Sequence, residues 1–386
     1  MNILEFIFNP FVSAYNLVHD SLTSFLLSLG VPPDLTAIIV FLVMGIIVIT
    51  VILIVAPVLM MYITLLERKV VARMQDRIGP NRVGKFGLLQ PIADMIKFLT
   101  KEDIVPEGVD RVSHLLAPIV AVIPVIMSFS VIVFGVGMGA VDLNLGLLFL
   151  MAMGSLATIA VFMAGFGSHN KFALIGGMRA AAQIISYEIP QIFAVAIPVM
   201  LAGSISLNRV IEQQGGLFGM GWFIFYIPVG PIAFFVYLLA ATAEINRVPF
   251  DLPEAESELV AGYHTEYSGM KFGLFYLAEF LNMFIISAIA ASIFFGGWQG
   301  PFVEPIPALG IQGIPALGIL YFFGKTFLLI IIQLWFRGSI PRIRVDQLMN
   351  FGWKRLVPVM LGTILFTAVL LWFYRGVLDF LKGLGG

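Results

Sequence analysis

Long apolar runs separated by short polar connections dominate the chain. Eight segments are apolar over about twenty residues, the length that crosses a bilayer. They fall near residues 37–66, 115–136, 145–166, 184–202, 222–243, 274–295, 314–336 and 357–374. The first spans about 45 Å as a helix, so it must tilt or protrude. Ahead of it, Leu4, Ile7, Phe11, Tyr15, Val18, Leu22, Phe25 and Leu29 recur at spacings of three and four, with polar residues between them. That periodicity predicts an amphipathic helix over residues 1–35, lying in the membrane interface. A ninth, imperfect span is the alternative, opposed by Pro10 and the polar face. Leu88, Leu89, Ile92, Met95, Ile96 and Leu99 predict a second amphipathic helix, with Pro91 near its start. The expected fold is all-α: a polytopic membrane protein of eight transmembrane helices plus an interfacial N-terminal helix, forming one integral membrane domain over 1–386.

Composition agrees with that reading. The 386 residues are 60% hydrophobic and only 12% charged. A soluble domain cannot hide so much apolar surface. A net charge of −1 gives no basic footprint for nucleic acid. The absence of cysteine excludes disulfides, Cys-ligated zinc and cysteine-held iron–sulfur clusters. The four histidines lie far apart in sequence, so no metal site is expected. The N-terminal stretch is not read as a secretory signal, because the first Lys or Arg is Arg68.

The basic residues set an expected orientation. The connections after spans one, three, five and seven hold 18 of the 22 Lys and Arg. The positive-inside rule makes that side cytoplasmic and puts both termini on the other. Two of these connections are unusual. Residues 67–114 mix nine basic residues, among them Arg68, Arg77 and Arg82, with seven acids. Anchoring to lipid headgroups would explain the bases. It would not explain the acids, which suggest docking to a protein. Residues 244–273 form an acidic connection; between 244 and 279 lie Glu244, Asp251, Glu254, Glu256, Glu258, Glu266 and Glu279. Pro253 fits the first turn of a short helix, where Glu254 and Glu256 would favour the dipole. Glu254 and Glu258 would then share one face and repel when both are ionised.

Two ionisable residues fall inside spans. Glu188 lies about one turn into span four, and Lys325 about 18 Å from Arg337 along span seven. Each costs about 2.5–3.5 kcal/mol at a helix centre, which marks a proton path or ligand site by default. Snorkelling to the interface, or a buried structural pair, is the alternative for both.

Four stretches carry a family resemblance: residues 67–106, the run Arg179-Ala180-Ala181-Ala182-Gln183-Ile184-Ile185-Ser186-Tyr187-Glu188, residues 244–269, and Arg337 through Pro341-Arg342 to Asp346-Gln347. The chain closely resembles the H-subunit family of the proton-translocating NADH–quinone oxidoreductase, respiratory complex I, over roughly residues 37–376. Pro190 departs from that family's pattern. The resemblance implies a subunit of the cell (inner) membrane that joins a peripheral redox arm to other membrane-arm subunits and forms much of a quinone-binding chamber. FMN and iron–sulfur clusters are then expected on partner subunits, with quinone as the bound substrate. It also implies a proton-responsive row of Glu188, Glu244, Asp251, Glu254, Glu256, Glu258, Glu266 and Glu279, and a chamber or docking side using Arg68, Arg77, Arg82 and Arg247. Lys325 joins the proton-path candidates on burial alone. Two other functions remain open: a homologous membrane anchor of an energy-converting hydrogenase or related complex, and an independent ion or solute transporter. The transporter would predict inverted repeats, and none is visible.

Overall fold

A computed structural model describes residues 10–215, 221–252, 260–303 and 313–384, with side chains described only between residues 12 and 374. Among the described residues there is no strand. The fold is an all-α membrane bundle. Its helices are α1 (Pro10–Ser28), α2 (Pro33–Met74), α3 (Gln90–Thr100), α4 (Arg111–Phe129), α5 (Gly146–Gly167), α6 (Lys171–Ala202), α7 (Leu207–Glu212), α8 (Val229–Glu244), α9 (Gly269–Phe294), α10 (Ala316–Ser339), α11 (Val345–Phe351) and α12 (Val357–Leu384). Seven described helical segments are long and apolar enough to cross a membrane: α2, α4, α5, α6, α9, α10 and a continuous stretch from α11 into α12. The fifth expected span is shorter than its apolar run. Residues 223–225 make a 3₁₀ turn, and α8 has 16 residues, about 24 Å. The expected eight spans are thus seven full-length helices and one short one.

Local chemistry explains several helix ends. Asn170 Oδ1 accepts the Phe172 N–H at 2.9 Å and caps α6, which ends at Gly203 with φ +66°. Pro33 and Pro91 stand in the first turns of α2 and α3, where no N–H partner is lost. Helix α6 starts thirteen residues before the expected span and runs through Pro190 and Pro198. Glu188 is therefore not one turn into its helix. It lies about 26 Å from the start. Helix α2 has 42 residues, about 63 Å, so it exceeds the hydrocarbon thickness by more than its apolar run implied.

Helix α9 is central: 89% of its most apolar window is buried. It packs against α4, α10 and α2, while α5 lies between α4 and α6, and α6 lies on α8. Small residues allow the closest approaches. A Cβ on Gly176 of α6 would sit 2.7 Å from the Cα of Gly262. Helix α1 turns back beside α2. Its expected apolar stripe is described from Tyr15 onward, and Tyr15, Val18, Phe25 and Leu29 remain exposed.

Candidate functional site

The centre of the site is an arginine between two acids from distant helices. Arg247 lies just past the end of α8 and is buried. Its Nη1 donates to Glu67 Oε2 on α2 at 3.1 Å, and its Nε lies 2.9 Å from Glu279 Oε1 on α9. The guanidinium also stacks over the Phe280 ring, 4.2 Å from its centroid. Glu67 Oε1 accepts a second hydrogen bond from Arg337 Nη1, at the end of α10. Four helices thus meet in one charged cluster. Removing two carboxylates and a guanidinium from solvent is tolerable only because each meets an opposite charge.

The segment that carries Arg247 is pinned from α6. The two N–H groups of the Gln183 side chain are shared among three acceptors, Ala243 O at 2.8 Å, Phe250 O at 2.7 Å and Asn246 Oδ1 at 3.1 Å from the nitrogen. Asp251 accepts from Arg342 Nη2 at 3.0 Å, which ties the same segment to residues following α10. In the sequence Gln183 stands inside a motif with no role of its own, and Glu67 and Arg337 lie in separate stretches. Glu67 is 180 residues from Arg247 and 270 from Arg337, which is why the sequence does not join them.

Two small spaces extend the cluster inward. One, of about 60 Å³, touches Glu279, Asn282 and Glu244. The next, of about 20 Å³, touches Asn282, Glu244, Gln191 and Glu188. Each can hold at least one water, and water in such a space can link polar groups too far apart to touch. Among the described residues, Glu244 Oε2 and Gln191 Oε1 meet no hydrogen-bond partner. Glu188 Oε1 accepts from the Ser155 hydroxyl. A Cβ on Gly154 would stand 2.9 Å from Glu244 Oε1, so that glycine makes room for the carboxylate.

On the other side of the charged cluster, α2, α3 and α9 enclose a cavity of about 250 Å³. Met60, Met61, Met95 and Phe98 make it apolar, and Thr64, Tyr276 and the Arg68–Asp94 ion pair supply its polar points. That pair has an N–O distance of 2.7 Å.

The structure therefore brings Glu188, Glu244, Glu279 and Arg247 together, and places Arg68 on the adjoining cavity. It does not gather every candidate. Glu266 Oε1 accepts from Asn170 Nδ2 at 2.7 Å, at the start of α6. Arg82 is exposed, and Arg77 Nε bonds Gln75 Oε1 at 2.7 Å on an exposed connection. Lys325 donates to the carbonyls of Phe295, Gly297 and Gln299 at 2.6, 3.0 and 2.5 Å. Those carbonyls follow the end of α9, some 24 Å along that helix from Glu279. Its ammonium also stands 4.7 Å from the Trp222 ring. Glu254, Glu256 and Glu258 lie outside the described residues.

Fold and site together define an integral membrane protein with a buried, multi-helix ion cluster beside an apolar cavity. The chain belongs to the NADH dehydrogenase family, whose model matches residues 46–368. It is 48% identical over 303 residues to the H subunit of the NADH-quinone oxidoreductase of Dehalococcoides mccartyi strain CBDB1, a match covering 78% of this chain and 80% of that relative. It is 43% identical over 363 residues to the H subunit of the same enzyme from Bacteroides fragilis, covering 92% and 96%. The Geobacter metallireducens H subunit numbered 1 is 45% identical over 319 residues, covering 80% and 91%.

Proposed function

We propose that this chain is the membrane subunit of an NADH–quinone oxidoreductase that receives the quinone and passes the effect of its reduction to a row of buried acids. The observation that carries this reading is a spacing. Thr64, on the apolar cavity, precedes Glu67 by three residues on α2; Tyr276, also on the cavity, precedes Glu279 by three on α9. Arg68, next to Glu67, and Leu277, two residues before Glu279, also line the cavity, so both acids of the ion cluster stand within one helical turn of the cavity wall. Reduction of a quinone needs two electrons and two protons. The electrons would come through FMN and iron–sulfur clusters on partner subunits. This chain's part is to hold the quinone among Met60, Phe98 and Tyr276, and to rearrange charge through Arg247.

The proton route then runs from Glu279 and Arg247 through Asn282 and water to Glu244, Gln191 and Glu188. Asp251, Glu254, Glu256, Glu258 and Glu266 would be the acidic approach to it. The exposed Arg77 and Arg82, with the mixed charges of residues 67–114, would face the peripheral arm. Other membrane-arm subunits would meet the bundle. The side holding 18 of 22 basic residues would be cytoplasmic, with both termini opposite. Lys325 is assigned a different role, fastening the segment after α9 to α10.

Glu244→Gln tests the route. It preserves shape and removes the charge change. Assembly should be normal, while NADH–quinone turnover or proton uptake into vesicles falls. Normal assembly with wild-type turnover and coupling would refute the role of the row. Failure to assemble would make Glu244 structural.

A further inference from the structure

A second cavity, more than twice the size of the first, lies between α1 and α2. Its volume is about 550 Å³. One wall is a single stripe of α1, Tyr15, His19, Thr23 and Leu27, each four residues from the last. The facing wall is a matching stripe of α2: Val40, Met44, Val48 and Ile52. Ser130 and Val141 close the third side. Two stripes at helical spacing make a slot rather than a pit. The α1 stripe covers twelve residues, about 18 Å. A lipid chain in one leaflet extends over about 15 Å, half the hydrocarbon thickness.

Helices that pack directly interdigitate and leave few voids larger than a water. This pair does not. Gly45 lies in the slot, and a Cβ there would meet nothing within 4 Å. Val48, Ile49 and Ile52, which are not fully covered by the protein, lose dispersion contacts when nothing fills the space, and water gains little among them. Phe41 and Ile49, at the rim, are exposed on a helix whose mean hydropathy reaches 3.5. The slot therefore opens to the hydrocarbon.

Charge narrows the occupant. No Lys or Arg occurs before Arg68, so none belongs to α1 or to the α2 wall. The charged residues next in sequence to those lining the slot are Asp20, Asp34 and Asp142, all acidic, and His19 Nδ1 lies 3.3 Å from Asp20 Oδ1. An anionic headgroup would find no cation there. An ammonium-bearing headgroup would find only acids beside the slot, with Tyr15, Thr23 and Ser130 lining it as hydrogen-bonding groups. The helix α1 that builds this slot lies ahead of the stretch matched by the family, which begins at residue 46.

We propose that the slot between α1 and α2 binds one acyl chain of a zwitterionic phospholipid. The bound chain fills the gap between the two helices and joins α1 to the bundle.

Photo-crosslinking of the assembled complex in vesicles tests this. The probe is phosphatidylethanolamine with a diazirine on one acyl chain; phosphatidylglycerol with the same chain is the comparison. Wild type should be labelled at Val48 and Ile52, the half-buried residues of the α2 wall, severalfold above Leu42 and Ile46, which face away from the slot. Phosphatidylglycerol should label severalfold less. Gly45→Trp puts an indole into the slot from a position where the added Cβ meets no atom within 4 Å, and should cut labelling severalfold. Ile46→Trp, on the bilayer side, should not. Labelling spread evenly over both faces of α2, or absent from residues 33–52, overturns the site. Equal labelling by the two headgroups overturns the zwitterionic assignment. Unchanged labelling in Gly45→Trp also overturns the site. Should that variant fail to assemble, the face distribution in wild type decides alone.

Discussion

Arg247→Met should be far more damaging than Arg247→Met combined with Glu279→Gln. In the wild type, Arg247 meets Glu67 at 3.1 Å and Glu279 at 2.9 Å while buried. At an effective dielectric near 20, a pair at about 4 Å gains about 4 kcal/mol. Two such contacts gain about 8 kcal/mol before desolvation, which consumes several kcal/mol per ion. The net value of the cluster is therefore small. The cost of breaking it is not, because removing one partner leaves a buried charge behind, at about 3–5 kcal/mol. Glu67 keeps Arg337. Glu279 loses the guanidinium at 2.9 Å. Replacing Glu279 by a neutral amide of the same shape removes most of that penalty.

The assay is a double-mutant cycle on the melting temperature of the solubilised complex, with assembly followed on native gels. The expected coupling energy is about 2–3 kcal/mol, the upper part of the range for residues in one ion network. Additive losses, or a single variant as stable as wild type, would refute the argument that Arg247 is held by compensation within a buried cluster. Arg247→Lys should not substitute, because one ammonium cannot present two separated donors to carboxylates on different helices.

Gln183→Leu strips the carbonyls of Ala243 and Phe250 of a shared donor, at about 1–3 kcal/mol for each buried group left unmet; faster hydrogen exchange over residues 246–252 is expected, and unchanged exchange would refute the pinning role. Lys325→Met removes charge-assisted hydrogen bonds contributing about 1.5–3 kcal/mol each. It should lower the melting temperature while protons moved per NADH stay constant; the reverse pattern would make Lys325 part of a proton path. Asp110 caps α4 and accepts from the Ser113 hydroxyl at 2.6 Å, which holds its carboxyl below the ordinary range. A lowered folded value stabilises above the unfolded pKa and loses that contribution as pH falls through the folded one. Asp110→Asn should therefore flatten the acid limb of the melting profile below about pH 4, and an unchanged limb would assign it to other acids.

The helices were legible because apolar runs of bilayer length have few alternatives. Their ends were less so. The run over residues 222–243 reads as one span, yet its first residues fold as a 3₁₀ turn ahead of α8. Residues 171–183 look like a connection because Lys171, Arg179 and Gln183 interrupt them, yet the Asn170 cap starts α6 there. The acids of the site were legible one by one, from the cost of placing Glu188 and Glu244 beside a membrane. Their pairing with cations was not, although Arg247 itself was a candidate. Arg337 reads as the basic end of a span, and Glu67 as one of seven acids in a mixed-charge connection. Only tertiary structure brings them within reach of Arg247. The usable signal for Gln183 was a polar side chain with two N–H donors five residues before Glu188, on the same helix.

The arrangement of cavity and cluster also bears on how a reaction in one could be felt in the other. On the proposed reading, reduction places negative charge near Arg68 and Tyr276. At about 8 Å and an effective dielectric near 20, a unit charge is worth about 2 kcal/mol to a carboxylate. That is about 1.5 pKa units, enough to change which of several coupled acids holds a proton. Mechanical and electrostatic routes point the same way. Glu67 and Glu279 lie within one turn of cavity residues on the same two helices. Any adjustment of α2 against α9 around a bound quinone must alter the separation of the carboxylates that Arg247 bridges. A cluster of high gross energy and small net energy suits such coupling. A change of about 2 kcal/mol is minor beside either ion pair, yet comparable with their sum after desolvation. The water-sized spaces at Asn282 then give the displaced proton somewhere to go, toward the unpartnered oxygen of Glu244.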